Sequence, residues 1–340
     1  MSMSGPLPTW MDPFAAAASV GYGVAIRARG NRLERQLPMD CGLPVISVGN
    51  ITAGGTGKTP VTQWIVRALQ AGGHAPMIAL RGHKGGEKAD EVLEHRAALP
   101  GVVVAVGADR ARRIAATRVK NPSCDVVVLD DGFQHRQLRR DCDLVLIDAT
   151  RPALDDGLLP LGWLREPASS LRRASGVIVT RALKVDDELS DYIMKLHGQA
   201  PLAWCRHAWT GLEGIDAGAV HEVAWLRRKR VAVWAGTGNP RAIVEQTESI
   251  AAAVVDVPRL ADHARWDAPK VARLLLRAQE AGAEAVIVTP KDWMKIAPLG
   301  VKSELPLVRP RLAIEFLQGE SIVQEQLARA VRVGQSRCHR

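Results

Sequence analysis

The stretch from Pro44 to Leu69 constrains the fold of this 340-residue chain more than any other. It reads PVISVGNITAGGTGKTPVTQWIVRAL. A short β-branched run comes first, a glycine-rich segment follows, and the apolar spacing after Pro60 predicts a helix. Glycines let backbone N–H groups converge on phosphate oxygens, and a helix N-terminus adds a partial positive charge. The order strand, glycine-rich loop and helix therefore predicts a phosphate-binding P-loop.

Lys58 and Thr59 follow the last loop glycine, as in the pattern G-x-x-x-x-G-K-[ST]. We expect Lys58 to reach the β- and γ-phosphates of a nucleotide and the Thr59 hydroxyl to bind Mg²⁺. Thr52 stands where the pattern has its first glycine, so a plain glycine-rich helix cap is the alternative. Three glycines directly before Lys-Thr favour the nucleotide site, whose expected residues are Thr52, Ala53, Gly54, Gly55, Thr56, Gly57, Lys58 and Thr59.

Apolar runs alternate with helical patterns along the chain, and this alternation predicts an α/β fold with a doubly wound, mostly parallel sheet. Near residue 200 the character changes, and Trp204 to Gly218 is interpreted as a connection. A second α/β pattern begins at Val231 and predicts a second, smaller α/β domain. The predicted organisation is an N-terminal helix over 1–36, a P-loop domain over 37–205 and a C-terminal domain over 206–340.

The fourth apolar run, VVVL, ends directly in Asp130 and Asp131. Two adjacent carboxylates at a strand end are costly unless a cation or hydrogen-bond donors satisfy them. With a P-loop upstream, this arrangement favours a Walker B position that holds Mg²⁺, over a polar turn before Gly132.

An apolar stretch from Phe14 to Ile26 precedes Arg27, Arg29, Arg32 and Arg35. It is shorter than the roughly 20 residues that span a bilayer. An apolar segment with a basic end suits a helix lying on an anionic membrane surface. A helix packed on the core with solvated arginines explains the sequence equally well.

The charge balance predicts anionic partners, since the net charge is +9. Aromatic residues make up only 4% and do not alternate with basic ones, so nucleic-acid binding is not expected. Five scattered cysteines indicate reduced thiols in a cytosolic protein. The first basic residue is Arg27, which is too late for a cleavable signal peptide.

Several segments together resemble one family, the tetraacyldisaccharide 4′-kinases of lipid A biosynthesis. They occur in the order of that family and span nearly the whole chain. The segments are VGNITAGGTGKTP, RGHKGG, the Asp90-Glu91 pair, GADR, LDDGFQH, LLPLGWLREP, ADH and TPKD.

This resemblance implies a two-domain, membrane-associated enzyme that uses ATP and Mg²⁺. It would phosphorylate the 4′-hydroxyl of a tetraacyl glucosamine disaccharide 1-phosphate at the cytoplasmic face of the inner membrane, with no protein partner. Asp90 matches the catalytic aspartate of the family and His263 its catalytic histidine. Asp130 and Asp131 match carboxylates near Mg²⁺, and Glu166 lines the site as a further candidate ligand.

The second interpretation is a P-loop switch ATPase that acts in membrane partitioning or metal delivery. Such proteins often carry another lysine in the loop before the Gly-Lys pair, and Thr52 to Gly57 contains none. A non-enzymatic nucleotide-binding scaffold would leave Asp90, Asp130 and Asp131 without a role. GTP specificity is not supported, because Lys291 and Asp292 are adjacent in TPKD.

Overall fold

A computed structural model describes residues 6, 12–82, 85–214, 220–237, 240–261 and 264–338. The chain forms two compact units. The first comprises Met1–Arg206 and Ile314–Arg340, and the second comprises His207–Ala313. The second unit is therefore an insertion in the sequence of the first.

The strands are short in most of the chain and long at the two junctions between units. Those of the first unit are β1 (Val45–Gly49), β2 (Pro76–Leu80), β3 (Val103–Val106), β4 (Val126–Asp130), β5 (Cys142–Asp148) and β6 (Gly176–Thr180). The chain leaves the first unit within β7 (Ala203–Gly214). The second unit adds β8 (Val220–His221), β9 (Arg230–Trp234), β10 (Ala253–Asp256) and β11 (Ala285–Val288), and the chain returns within β12 (Leu307–Gln318).

The helices connect these strands. In the first unit they are α1 (Asp12–Glu34), α2 (Lys58–Ala71), α3 (Asp90–Ala98), α4 (Arg110–Lys120) and α5 (Asp187–His197). The second unit has α6 (Pro240–Glu248), α7 (Ala268–Glu280) and α8 (Pro290–Ile296), and the last helix, α9 (Glu320–Cys338), returns to the first unit. In the described residues, no helix has the length and apolarity needed to cross a membrane.

The sheet of the first unit is parallel in the order β3-β2-β4-β1-β5-β6-β7. Strands β1 to β6 alternate with crossover segments, as the sequence predicted. Because β1 and β4 are neighbours, the glycine-rich loop after β1 and the carboxylates that end β4 emerge side by side. Proteins with α/β sheets bind ligands at the carboxyl ends of the parallel strands. The loop after β1 and the carboxylates that end β4 both lie at that edge, where the site was predicted.

Apolar faces of α2 and α9 cover the same part of this sheet. Val61 and Ile65 of α2 and Val323 and Leu327 of α9 belong to one buried cluster with Ile46 of β1. Fully burying such a side chain stabilises the fold by about 1.5–3 kcal/mol. The helix that follows the glycine-rich loop, α2, is therefore anchored by packing against both β1 and α9.

The second unit has its own group of paired strands and its own core. Strands β10, β9, β11 and β12 pair in parallel, and β8 pairs antiparallel with β7. Its core includes the fully buried Trp234, against which the Trp266 ring stacks at 5.9 Å. The smaller α/β domain predicted from the sequence is present.

Two features differ from the sequence interpretation. The segment from Trp204, read as a connection, contains the twelve-residue strand β7, whose middle residues are half-buried or exposed. This mixed burial leaves no clear apolar alternation for a sequence pattern to detect. Residues 314–338, grouped with the C-terminal domain, belong to the first unit because α9 packs there.

Candidate active site

Asn50 organises the start of the glycine-rich loop. It is fully buried directly after β1, and its Nδ2 donates to the Thr52 carbonyl at 2.9 Å. Its Oδ1 accepts a hydrogen bond from Lys58 Nζ at 3.1 Å. One amide side chain therefore fixes both the loop and the ammonium that follows it.

The loop is also held from neighbouring elements. Thr180, at the end of β6, donates from Oγ1 to the Thr56 carbonyl at 2.9 Å. Arg181 donates to the Gly55 carbonyl at 2.6 Å and pairs with Asp148, which ends β5. The end of β6 thus contacts the loop directly and the end of β5 supports it through Arg181, which reduces the reorganisation needed when it binds a ligand.

A second segment pairs with the beginning of the loop. The Ala53 N–H donates to the Trp163 carbonyl at 2.7 Å, and the Arg165 N–H donates to the Ile51 carbonyl at 2.7 Å. The LLPLGWLREP segment therefore lies against the glycine-rich loop. The resemblance to the kinase family implied that Glu166 of this segment lines the site.

Two glycines in this region are favoured by their surroundings. Gly57 has φ 79°, a left-handed conformation that favours glycine, directly before α2 begins. A Cβ on Gly49 would lie 2.5 Å from Phe133 Cβ. Gly57 turns the chain into the helix, and Gly49 lets the β1 end approach the segment after β4.

Asp131 is surrounded by cations. One of its carboxylate oxygens lies 3.4 Å from Lys58 Nζ, and Arg165 Nη1 donates to both oxygens at 3.0 and 3.1 Å. Arg110 donates to the Asp131 carbonyl at 3.1 Å. Burial raises the pKa of Asp131, but the charges of Lys58, Arg165 and Arg110 outweigh it and hold that pKa well below its usual range. Asp131 is therefore ionised at neutral pH.

Asp130 is buried and pairs with a histidine. Its side chain is only 3% exposed, and Oδ2 lies 2.9 Å from Nε2 of the fully buried His95. Thr62 Oγ1 of α2 lies 3.5 Å from Oδ1. Burial lowers the pKa of His95, yet the hydrogen bond and charge of Asp130 outweigh it and raise that pKa. The two adjacent aspartates thus have different surroundings.

Glu166 forms an ion pair with Arg173. Its two oxygens lie 2.8 and 2.7 Å from the two Nη atoms of Arg173, and the guanidinium also lies over the Phe133 ring. A bidentate pair of this kind is strong. It favours a role for Glu166 in positioning Arg173 over one in direct metal binding.

Asp90 is the first residue of α3, the helix that also carries His95. Asp90 therefore lies about 7.5 Å along the helix axis from His95, the residue that contacts Asp130. His263, its predicted catalytic partner, and His83 and Lys84 of the RGHKGG loop lie outside the described residues.

Three residues of the site were missed in the sequence: Asn50, His95 and Arg110. Asn50 and Arg110 stood in quoted motifs, VGN and GADR, without an assigned role. His95 had no signal, because a single histidine in a short polar helix is most often solvated. Its burial against Asp130 depends on the parallel pairing of β2 with β4.

The donor set fits Mg²⁺. Mg²⁺ prefers a few hard oxygen ligands and retains water and substrate phosphate as the others. The Thr59 hydroxyl and the Asp131 carboxylate supply such oxygens beside Lys58. In the described residues no cluster of three or more histidine, cysteine, aspartate or glutamate side chains could hold a metal ion.

We expect His135 to make stability depend on acid pH. Burial, reinforced by Arg110 and Arg140, lowers the pKa of His135 to about 4. Between pH 6.5, which is about the pKa of a histidine in the unfolded chain, and pH 4, the unfolded chain binds a proton that the native state does not. The free energy of unfolding therefore decreases as the pH is lowered through this range. Urea unfolding from pH 7 to 4.5 should show a steeper loss in the wild type than in His135→Gln. Parallel curves would contradict this assignment.

Fold and site together define a P-loop nucleotide-binding protein with the charges needed for phosphoryl transfer. Comparison with known proteins gives the particular family. The chain belongs to the tetraacyldisaccharide-1-P 4′-kinase family, whose model matches residues 11–332. It is therefore a kinase, and the switch-ATPase interpretation is not favoured.

The relatives cover almost the whole chain. A tetraacyldisaccharide 4′-kinase from Syntrophus aciditrophicus is 35% identical over 90% of this chain and 92% of its own. One from Anaeromyxobacter dehalogenans is 34% identical over 95% and 89%. A crystal structure described as the apo form of LpxK from Aquifex aeolicus in complex with ATP has a TM-score of 0.67 at 22% identity, covering 95% of this chain and 99% of that one. That structure supports the fold.

Proposed function

We propose that this chain transfers the γ-phosphate of ATP to the 4′-hydroxyl of a tetraacyl glucosamine disaccharide 1-phosphate, in lipid A biosynthesis. The observation that carries the proposal is the approach of Lys58 Nζ to Asp131, 3.4 Å apart where the loop after β1 meets the end of β4. This is the P-loop arrangement for binding and transferring a phosphoryl group. Family membership supplies the acceptor.

Different residues have separate roles in the proposed phosphoryl transfer. The loop from Thr52 to Thr59 cradles the phosphates through backbone N–H groups, and Lys58 reaches the terminal phosphates. Arg165 and Arg110 add positive charge near the same point, where charge develops in the transition state. Asp90 accepts the proton of the attacking hydroxyl, and His263 orients or polarises that carboxylate.

Mg²⁺ would be held by the Thr59 hydroxyl and the carboxylates of Asp130 and Asp131, and when bound it neutralises charge on the β- and γ-phosphates. His95 and Thr62 fix the Asp130 side chain, and Arg165 fixes that of Asp131. This support holds the carboxylates in place before the nucleotide arrives.

Labelled ATP tests the function directly. The purified chain, given ATP labelled at the γ-phosphate and the acceptor in mixed micelles, should place label on the acceptor 4′-oxygen. An acceptor that lacks the 4′-hydroxyl should remain unlabelled. ATP hydrolysis at the same rate with and without acceptor, and no labelled lipid, would instead indicate a switch ATPase.

The exposed face of helix α1 is an argument that the protein binds peripherally to the cytoplasmic face of the inner membrane. One face packs on the protein: Ser19 donates to the Leu158 carbonyl and Tyr22 to the Arg165 carbonyl, both at 2.9 Å. The opposite side exposes Phe14, Val20 and Val24 to solvent. An exposed apolar face followed by arginines suits a helix that lies in the interface of an anionic membrane.

The exposed apolar face of α1 should control vesicle binding. We expect the double variant Phe14→Asp/Val24→Asp to bind phosphatidylglycerol vesicles at least tenfold more weakly, because each apolar side chain contributes about 1.5–3 kcal/mol when buried in lipid. Vesicle sedimentation at two salt concentrations measures this, and the arginines of the helix should make wild-type binding weaken with salt.

A matched control introduces the same two aspartates on a different helix. Ile322→Asp/Val333→Asp alters two exposed apolar residues of α9 and should bind vesicles like the wild type. Point variants are preferable to deletion, because deleting α1 would also remove its contacts with Leu158 and Arg165. Equal binding by both double variants would mean that α1 has only a structural role.

A further inference from the structure

Trp163 is a half-buried aromatic residue beside the glycine-rich loop, within the first unit. Its carbonyl accepts a hydrogen bond from the Ala53 N–H at 2.7 Å, which fixes its backbone against that loop. The guanidinium carbon of Arg151 lies 4.3 Å from the centre of its ring, and Arg151 is itself held by Asp156 at 3.1 Å. The ring is therefore held in place, and part of it remains accessible to a ligand.

The backbone around Trp163 is paired like a short strand. Leu164 forms an antiparallel bridge with Thr52 of the loop, and its side chain is buried in an apolar cluster of the first unit. Successive side chains of an extended chain point to opposite faces, so Trp163 and Arg165 leave the backbone on the face opposite Leu164, about 6.5 Å apart. Arg165 contacts Asp131. The Trp163 ring therefore stands next to the proposed point of phosphoryl transfer.

The same segment also contacts helix α1. The carbonyl of Leu158 accepts a hydrogen bond from Ser19, and that of Arg165 accepts one from Tyr22. Helix α1 is the part of the chain proposed to lie on the membrane, where the acyl chains of the acceptor remain. The sugar headgroup has to extend from there to the glycine-rich loop, and Trp163 belongs to the segment that contacts both.

A flat aromatic ring at this position suits a sugar. One face of a pyranose ring carries mainly C–H groups, and these pack on the electron-rich face of an aromatic ring. Adenine could also stack on tryptophan, but two phosphates and a ribose separate it from the γ-phosphate of ATP. Because Trp163 neighbours Arg165, at the terminal phosphate, the geometry favours the acceptor over the base.

We propose that Trp163 binds the glucosamine ring that carries the reacting 4′-hydroxyl. This assignment rests on the proposed function, which supplies the sugar acceptor. Packing of one ring face on Trp163 orients the hydroxyl toward the phosphoryl group held near Lys58 and Arg165. Trp163 is therefore a residue that determines specificity for a sugar, separate from the groups that bind ATP.

Two variants of Trp163 test the role of the ring. Trp163→Leu keeps an apolar side chain and removes the flat ring, whereas Trp163→Phe keeps a smaller ring. KM for the acceptor should rise about tenfold in Trp163→Leu and at most about threefold in Trp163→Phe. KM for ATP should stay at the wild-type value in both. A rise in KM for ATP with an unchanged KM for the acceptor would mean that the ring stacks on adenine, and would overturn the proposal.

The control variant is Trp225→Leu. Trp225 is a half-buried tryptophan of the second unit whose ring also carries a cation, Lys229 Nζ, at 4.5 Å. The substitution therefore removes a similar side chain from a different part of the chain, and KM for the acceptor should stay at the wild-type value. An equal rise in KM for both leucine variants would contradict a specific contact between Trp163 and the sugar.

A soluble probe separates this proposal from the proposed function. The glucosamine disaccharide 1-phosphate without acyl chains should bind the wild type and Trp163→Phe in calorimetry, with affinities that agree within about threefold. Its binding should change the tryptophan emission of the wild type and leave that of Trp163→Phe unchanged. This comparison does not require Trp163→Leu to fold.

The emission change would support the role of Trp163 even if no acceptor were phosphorylated, in which case the proposed function alone would fail. An equal emission change in both proteins, or no binding of the probe to the wild type, would overturn the assignment of Trp163 whatever the kinase assay showed.

Discussion

Replacing Asp90 with alanine is expected to lower kcat by about 10²–10⁴-fold, with little change in the affinity for ATP. A sugar hydroxyl is a poor nucleophile, so loss of the group that accepts its proton slows the chemical step. The loop proposed to cradle ATP lies after β1 and does not include α3. Nucleotide binding should therefore survive. Single-turnover rates and the binding of a fluorescent ATP analogue measure the two effects separately.

The double variant Asp90→Ala/His263→Ala makes this test sharper. If the two side chains act as a unit, the double variant should lose little more than either single variant. Full additivity would mean independent roles. A wild-type rate in Asp90→Ala would mean that another carboxylate is the base, and Glu91→Ala and Glu87→Ala would then identify it.

Replacing Lys58 with alanine should lower the rate of phosphoryl transfer by about 10²–10³-fold or more while the fold is retained. The Lys58 ammonium contacts Asn50 and Asp131 at the surface of the loop and takes no part in the apolar core. Asp131 keeps Arg165 as an ion-pair partner in the variant. The substitution therefore removes charge from the nucleotide site without leaving a carboxylate unpaired.

Circular dichroism and turnover measured on the same preparation test this prediction. Lys88→Ala is a suitable control, because Lys88 is an exposed lysine of the first unit outside the loop. It should retain both the spectrum and the rate of the wild type. Near-normal turnover in Lys58→Ala would remove the basis for assigning the loop to ATP.

Local patterns were enough to predict the centre of the fold. The run from Val45 to Leu69 folds as strand, loop and helix, since β-branched residues, glycines and a 3.6-residue apolar period occur in sequence order. The VVVL run before Asp130 is a buried strand for the same reason. Both elements depend on neighbours in the sequence, and local chemistry determines them.

Other features depend on contacts between distant parts of the chain. His95 is identifiable only once β2 and β4 pair and bring α3 over Asp130. Strand β7 has half-buried faces, so its sequence lacks the alternation that marks an isolated strand. Helix α9 belongs to the first unit because it packs on Ile46 and Ile65. The residues next to α9 in the sequence do not indicate this packing.

The position of α9 has a consequence for how the protein is made. Residues 207–313 form a continuous unit that is complete before α9 is synthesised. Domains generally fold as units while the chain emerges from the ribosome, starting from the N-terminus. Here the inserted unit can fold first, while the apolar surface of β1 and α2 still awaits Val323 and Leu327. The core of the first unit can therefore be completed only after α9 has been synthesised, and until then part of its apolar surface stays uncovered.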